Sequence, residues 1–221
     1  MKNFIFVESC ESTQELLKEQ LKQNDSNELT VGCEHQINGR GRSDNSWEQM
    51  PGTICFSMTV FPSERVTFTA LEISLLIQKF FEAKNEKVFV KWPNDIMAKD
   101  HKKCGGVLIQ NIGNHYLAGI GLNLHSNNDL YGGIYEPQLP LDKKNWIKEL
   151  SEFISTHRYL TIEEIASDWL KQCFHLNSKV KINEGNQETI GTFTGLGRHG
   201  EAILQNAAGT HHLFNGSLRL I

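Results

Sequence analysis

Residues 67 to 84, TFTALEISLLIQKFFEAK, are apolar around most of a helical circumference. A helix of that kind has no side to give to water, so the stretch predicts a largely buried helix. Such a helix needs other elements packed around it, and the flanking sequence supplies them. TICFSMTVF (53 to 61) is rich in β-branched and aromatic residues and reads as a strand. KVFVKW reads as a second strand, stopped by Pro93, and IMAK begins another across a turn at Asn94 and Asp95. GGVLIQNIGNHYLAGIGLNL (105 to 124) predicts a hairpin turned at Gly113 and Asn114. NFIFVES and LTVGCE (29 to 34) read as strands on either side of a helix that opens at Ser12 or Thr13 and carries Leu16, Leu17 and Leu21 at helical spacing. After a loop-like stretch from 126 to 142 come two helices, KNWIKELSEFISTHR and TIEEIASDWLKQCF, the second opened by a capping box from Thr161 to Glu164.

Past Asn177 the texture changes. KVKI, TIGTFTGLG, EAILQN, HHLF and SLRLI are short strands separated by Gly- and Asn-rich turns, the pattern of a small all-β barrel appended to an α+β domain. The expected division is therefore 1–177 and 178–221, and 221 residues suffice for one large domain and one small one. Hydrophobic residues at 39% and charged residues at 22% fit a globular core. A net charge of −4 argues against a general polyanion binder, so any anion site must be local. Cys10, Cys33, Cys55, Cys104 and Cys173 are scattered, with no Cys-x-x-Cys pair. That pattern points to reduced thiols in a cytoplasmic protein, with no disulfide framework and no zinc site. The apolar run in MKNFIFVESCESTQ is too short for a signal peptide, and no run approaches the ~18 apolar residues of a membrane span.

Three clusters carry candidate chemistry. In HQINGRGRSDNSW (35 to 47), Arg40 and Arg42 alternate with Gly39 and Gly41, ahead of Trp47. Glycine permits close approach of backbone to a ligand, and an arginine fork suits a carboxylate or phosphate. An exposed turn with solvated arginines is the plain alternative. In KWPNDIMAKDHKKCGG (91 to 106), Asp95 offers hard oxygens to Mg²⁺ or to water on Mg²⁺, against a plain reading as a Pro-Asn-Asp turn. Lys99, Lys102 and Lys103 crowd what is otherwise a charged hairpin tip, but Gly105 and Gly106 after them allow a lysine to be held where the backbone comes close. In AGIGLNL (118 to 124), Gly119 and Gly121 leave one strand face uncovered and Asn123 offers an amide to a base edge or phosphate, against a plain reading as a kinked buried strand.

The order and spacing of these clusters resemble the biotin–protein ligases: Gly-Arg-Gly-Arg with Trp47 eight residues after its first Gly, Lys-Trp-Pro-Asn-Asp, a lysine before GGVLI, GIGLNL, then a small β tail. The resemblance covers nearly the whole chain. It implies a class II synthetase-like α+β catalytic domain, a mixed β-sheet with helices packed on one side, plus a C-terminal SH3-like barrel. Because the chain opens at the first catalytic strand, it looks like the ligase-only type without a DNA-binding domain. The implied activity is ATP-dependent formation of biotinyl-5′-AMP and transfer of biotin to a lysine of a biotin carboxyl carrier protein, with Mg²⁺ and with a homodimer left open.

Residue by residue, the resemblance puts Ser12, Thr13 and Gln36 on the ureido ring of biotin. It puts Gly39 and Arg40 along the valeryl chain and carboxylate, and Arg42 at the phosphate side. Trp47, Asn94 and Asn123 fall at the nucleotide, and Asp95 at the magnesium or the incoming lysine. Arg40, Arg42, Asp95 and a lysine form the catalytic group. Aligning on Gly106–Val107–Leu108 selects Lys103, which would also meet biotin; counting forward from Asp95 selects Lys102. Strand register favours Lys103. Asp44 departs from the family pattern, where a Gly is common, and sets an acid beside the phosphate site. Three rivals stand. A lipoate or octanoate protein ligase or transferase has the same architecture. An RNA-binding module would use GRGR as an RGG-like element, against the net charge. A non-catalytic binding protein would use the β tail.

Overall fold

The computed structural model describes residues 3–23, 28–42, 45–126, 129–136, 141–158 and 160–221. Asp44 lies outside the described residues. A seven-stranded mixed sheet carries the larger part of the fold. Its strands are β1 (Asn3–Cys10), β2 (Leu29–Gln36), β5 (Thr53–Val60), β6 (Phe89–Lys91), β7 (Asp95–Met97), β8 (Lys103–Ile112) and β9 (His115–Asn123), in spatial order β1-β2-β5-β9-β8-β7-β6. Only β1 and β2 run parallel, joined by α1 (Thr13–Gln23); every other neighbouring pair in this sheet is antiparallel. Between β2 and β5, β3 (Gly39–Arg40) and β4 (Ser46–Trp47) form a two-stranded hairpin of their own.

The period of two along β5 and β9 divides the protein. Ile54, Phe56 and Met58 on β5, with Ala118, Ile120 and Leu122 on β9, enter the main core under the expected buried helix, α2 (Thr69–Glu82). Their neighbours Cys55 and Ser57 face the other way, opposite Gly121 and Gly119. The helices α3 (Lys143–His157) and α4 (Ile162–Gln172) pack beside α2, and the capping box at Thr161 and Glu164 is formed. One expectation needs correction: the helices are not all on one side. The first helix, α1, packs through Leu17 on Leu29, Val31 and Leu117, which form a second, smaller cluster apart from the main core. It covers one end of the opposite face and leaves the rest of that face open.

The C-terminal strands β10 (Lys179–Glu184), β11 (Gln187–Leu196), β12 (Ala202–Asn206), β13 (Gly209–Leu213) and β14 (Ser217–Leu220) form an antiparallel sheet ordered β13-β12-β11-β10-β14. Asn177 sits at φ 62°, a left-handed turn that Asn tolerates, just before this sheet begins. Trp92, fully buried, donates its indole N–H to the carbonyl of Gly200 at 3.0 Å and so fastens the Lys-Trp-Pro-Asn-Asp turn to the C-terminal sheet. Gly200 itself has φ +76° and packs on Leu71 and Phe68.

Behind that junction His175 is fully buried, its Nδ1 3.2 Å from the Cys173 thiol and its ring against Phe193 and Trp169. Burial, with a smaller contribution from the Lys91 ammonium, lowers its pKa to about 3 from the ordinary 6.5. The unfolded chain therefore takes up this proton first. The stability that the neutral ring contributes is complete above pH 6.5 and is lost as pH falls toward 3. Urea denaturation should show about 2 kcal/mol less stability at pH 5 than at pH 7 from this group. His175→Phe should remove most of that difference; equal pH slopes in the two proteins would contradict it.

Candidate active site

A cavity of about 440 Å³ opens on the face that α1 leaves uncovered. Its floor follows from the cross-strand register. Ser57, Gly119 and Leu108 form one row across β5, β9 and β8, and Cys55, Gly121 and Gly106 form the next. A side chain at Gly119 would run into Gln14, and one at Gly121 into the indole of Trp47. The two glycines therefore make room for those side chains to lie flat on the sheet, which their reading as a kinked strand does not capture.

At one end of the cavity the polar groups are short and uncharged. Gln36 Oε1 accepts from the backbone N–H of Thr13 at 2.9 Å and from its hydroxyl at 3.1 Å. The Thr13 and Ser57 hydroxyls lie 2.9 Å apart. Ser12 lines the same end and starts α1, its carbonyl accepting from Leu16 N–H at 2.9 Å.

Cations gather at the other end. Asp95 begins β7, one residue after the turn. Its Oδ1 takes the Lys103 ammonium at 2.6 Å and its Oδ2 takes Lys91 at 3.0 Å. Burial raises the Asp95 pKa, but the two lysines outweigh it and hold the carboxyl below the usual range. Arg42 donates to Asn94 Oδ1 at 3.1 Å; burial lowers its pKa and the nearby Asp95 charge raises it, and a guanidinium stays protonated under both. Asn94 also donates from Nδ2 to the Val107 carbonyl at 2.6 Å, so its amide holds Arg42 against β8. Trp47 lies beneath, with the Lys103 ammonium 5.6 Å from its ring centre and its own indole N–H buried without a hydrogen-bond partner.

Geometry separates Lys102 from Lys103. Strict alternation back from Gly106, which faces the cavity, would turn Lys102 inward. The ladder between β7 and β8 shifts register between Ile96 and Met97, pairing Ile96 with Gly105 and Met97 with Lys103. This bulge turns Cys104 into the core and Lys103 into the cavity. Lys102 stays outside, 3.8 Å from Asp100.

Other expected residues sit differently. Arg40 reaches the rim and pairs with Glu15 of α1 at 3.0 Å, with 58% of its side chain exposed. Gly39 pairs with Trp47 in the β3–β4 hairpin, and a Cβ there would strike the Trp47 carbonyl and the Gln36 amide. Asn123 is buried outside the cavity, its Oδ1 taken by the Thr53 hydroxyl at 2.8 Å, and so is not brought together with the other nucleotide candidates. Asp95 does not fit a magnesium ligand, because each of its oxygens already holds an ammonium. Among the described residues no group of three or more His, Cys, Asp or Glu gathers to hold a metal ion.

The sequence reading missed Lys91 as a site residue, although it begins the matched motif. It also missed Gln14, next to Thr13, and Asn183 near the end of β10 and Asn215 before β14, which bring the C-terminal sheet to the cavity mouth. Nothing in the local sequence of those two asparagines places them at the same cavity as Asn94.

The chain is 24% identical over 216 residues to the bifunctional ligase/repressor BirA of Escherichia coli, an alignment that takes in 88% of this chain and 67% of that protein. Its fold matches that of a biotin protein ligase from Aquifex aeolicus, solved in complex with biotin and ATP, at a TM-score of 0.82 and 24% identity over all of both chains. It also matches a biotin acetyl coenzyme A carboxylase synthetase from Helicobacter pylori, solved with bound biotinylated ATP, at a TM-score of 0.75 and 21% identity over 96% of this chain and 100% of that one. A family model described as the biotin/lipoate A/B protein ligase family matches residues 6–127, more than half of the chain, so the chain belongs to that family.

Proposed function

We propose that the chain is a biotin–protein ligase that condenses biotin with ATP to biotinyl-5′-AMP and diphosphate, then transfers the biotinyl group to one lysine of a biotin carboxyl carrier protein. One observation carries the reading: a single cavity has neutral hydroxyl and amide groups at one end (Ser12, Thr13, Gln36) and three cations at the other (Lys91, Lys103, Arg42). The first set suits a cyclic urea, with two N–H groups and one carbonyl. The second suits a carboxylate meeting a phosphate. The relatives solved with biotin, ATP or their joined product support the same assignment.

In the first half-reaction a carboxylate oxygen of biotin bonds to the α-phosphorus, and the bond to the diphosphate oxygen breaks. Two anions must approach, and Lys103 and Arg42 offset their repulsion where it is greatest. In the second, the uncharged ε-amine of the acceptor attacks the biotinyl carbonyl carbon, the acyl–oxygen bond to AMP breaks, and the amine gives up a proton. Asp95, held below the usual carboxylate range, is a weak base for that proton, and its role is to position Lys103 and Lys91. ATP enters as its magnesium complex, with the metal carried by the substrate. Trp47 shields the anhydride from water at the floor, and Arg40, once released from Glu15, closes over the biotin carboxylate.

In this reading residues 1–177 form the catalytic unit and 178–221 a unit that completes the cavity mouth, in a cytoplasmic protein. Nucleic acid and membrane have no part, and no helix among the described residues is long and apolar enough to cross a membrane. The family description also covers lipoate ligases; the joint presence of Gly39–Arg42 with Trp47 and of Lys91–Asp95 favours biotin.

Mass spectrometry of the protein incubated with biotin and MgATP should find bound biotinyl-5′-AMP, and an acceptor carrier should then gain biotin at one lysine. A product with lipoate or octanoate, and none with biotin, would refute the assignment. In single-turnover kinetics Lys103→Ala should slow adenylation roughly 100-fold or more, as loss of one preorganised charge does elsewhere. Lys102→Ala should stay within about threefold of wild type, being a surface change; the reverse order would show that the bulge does not set the catalytic lysine.

A further inference from the structure

The deep end of the cavity has an imbalance of hydrogen-bonding groups. A cyclic urea brings two N–H donors and needs two acceptors. The oxygen of Gln36 already accepts twice from Thr13, at 2.9 and 3.1 Å. The Thr13 and Ser57 hydroxyls are engaged with each other at 2.9 Å. Those hydroxyls keep lone pairs, but each already has a partner, whereas the amide oxygen of Gln14 has none. Gln14 is 3% exposed and lies over Gly119, in the row between Ser57 and Leu108. Its Nε2 donates to the Leu108 carbonyl at 3.1 Å, which fixes the amide plane. Its Oε1 is buried and has no partner.

A buried amide oxygen without a donor is costly, and few survive in folded proteins without a reason. Here one end of the amide is held by the Leu108 carbonyl, the other end has no partner, and the residue is part of the cavity lining. Resting on the biotin reading above, we infer that Gln14 is a specificity residue for the cyclic urea: its side-chain carbonyl accepts a ureido N–H, and it makes the pocket discriminate against acids whose far end carries no N–H. An octanoyl chain or a dithiolane ring seated in the same place would leave Oε1 dry and unpaired. A ureido ring removes that penalty. The family description covers ligases for biotin and for lipoate, and in this chain an unpaired amide oxygen at this position favours the acid that brings an N–H.

The test is calorimetric binding of biotin and of octanoate to wild type, Gln14→Leu and Gln14→Met, with thermal melting to confirm that each variant is folded. The methionine variant keeps the side-chain length should leucine disturb α1. Loss of one buried acceptor should weaken biotin roughly 10- to 100-fold, while octanoate binding holds or improves, so the preference for biotin collapses. If Gln14 only braces Leu108, both acids weaken equally, and the inference falls. It falls also if a folded variant binds biotin within about threefold of wild type, too small a change for a lost buried acceptor. Failure of the unmodified protein to bind biotin would overturn the ligase reading itself, and is told apart because it needs no substitution.

Discussion

The site depends on one carboxylate. Asp95 stands 14% exposed between the ammonium groups of Lys103 and Lys91, at 2.6 and 3.0 Å. Without it, two partly buried lysines would face each other and Arg42 across a narrow cavity, and like charges so placed repel. With it, the three cations can be concentrated before any substrate arrives. That is what a reaction joining two anions requires, since a field already in place needs no reorganisation when charge develops. The surrounding devices serve the same geometry. The bulge at Cys104 delivers Lys103, Asn94 delivers Arg42, and buried Trp92 anchors the turn from which Asp95 emerges.

The second constraint is the open floor. A largely antiparallel sheet can leave one face open. Here α1 covers only one end of that face, and glycines at 119 and 121 keep the rest low enough for Gln14 and Trp47 to lie on it. The core behind the floor is unaffected, because alternate residues of β5 and β9 fill it with Ile54, Phe56, Ile120 and Leu122. The same two strands thus build the core with one parity and the cavity with the other.

Much of this is legible in the sequence, and the limits are physical. The elements follow from periodicity and punctuation: the helix α2 from its apolar circumference, the β8–β9 hairpin from Gly113–Asn114, α4 from its capping box. The motif residues Thr13, Gln36, Arg42, Asp95 and Trp47 were identifiable and do meet in one cavity. Register irregularities are not written in composition: strict alternation back from Gly106 would turn Lys102 to the cavity, and the bulge turns Lys103 there instead. Partner competition is equally invisible. Nothing local to Asn123 announces that Thr53 takes its carbonyl, and nothing near Arg40 announces Glu15, because both partners come from other elements. Gln14 was passed over because a glutamine in the first turn of a helix is unremarkable until its oxygen is found without a donor.

The central claim is that Asp95 acts through the lysine it holds, and a double-mutant cycle tests it directly. Biotin-dependent exchange between ATP and diphosphate would be measured for Asp95→Asn, Lys103→Met and the double variant. If Asp95 works largely by positioning Lys103, Asp95→Asn should cost much less in the Lys103→Met background than in the wild type, the remainder coming through Lys91. Losses that multiply, with the double variant slower by the product of the two single effects, would show Asp95 acting independently and would contradict the account.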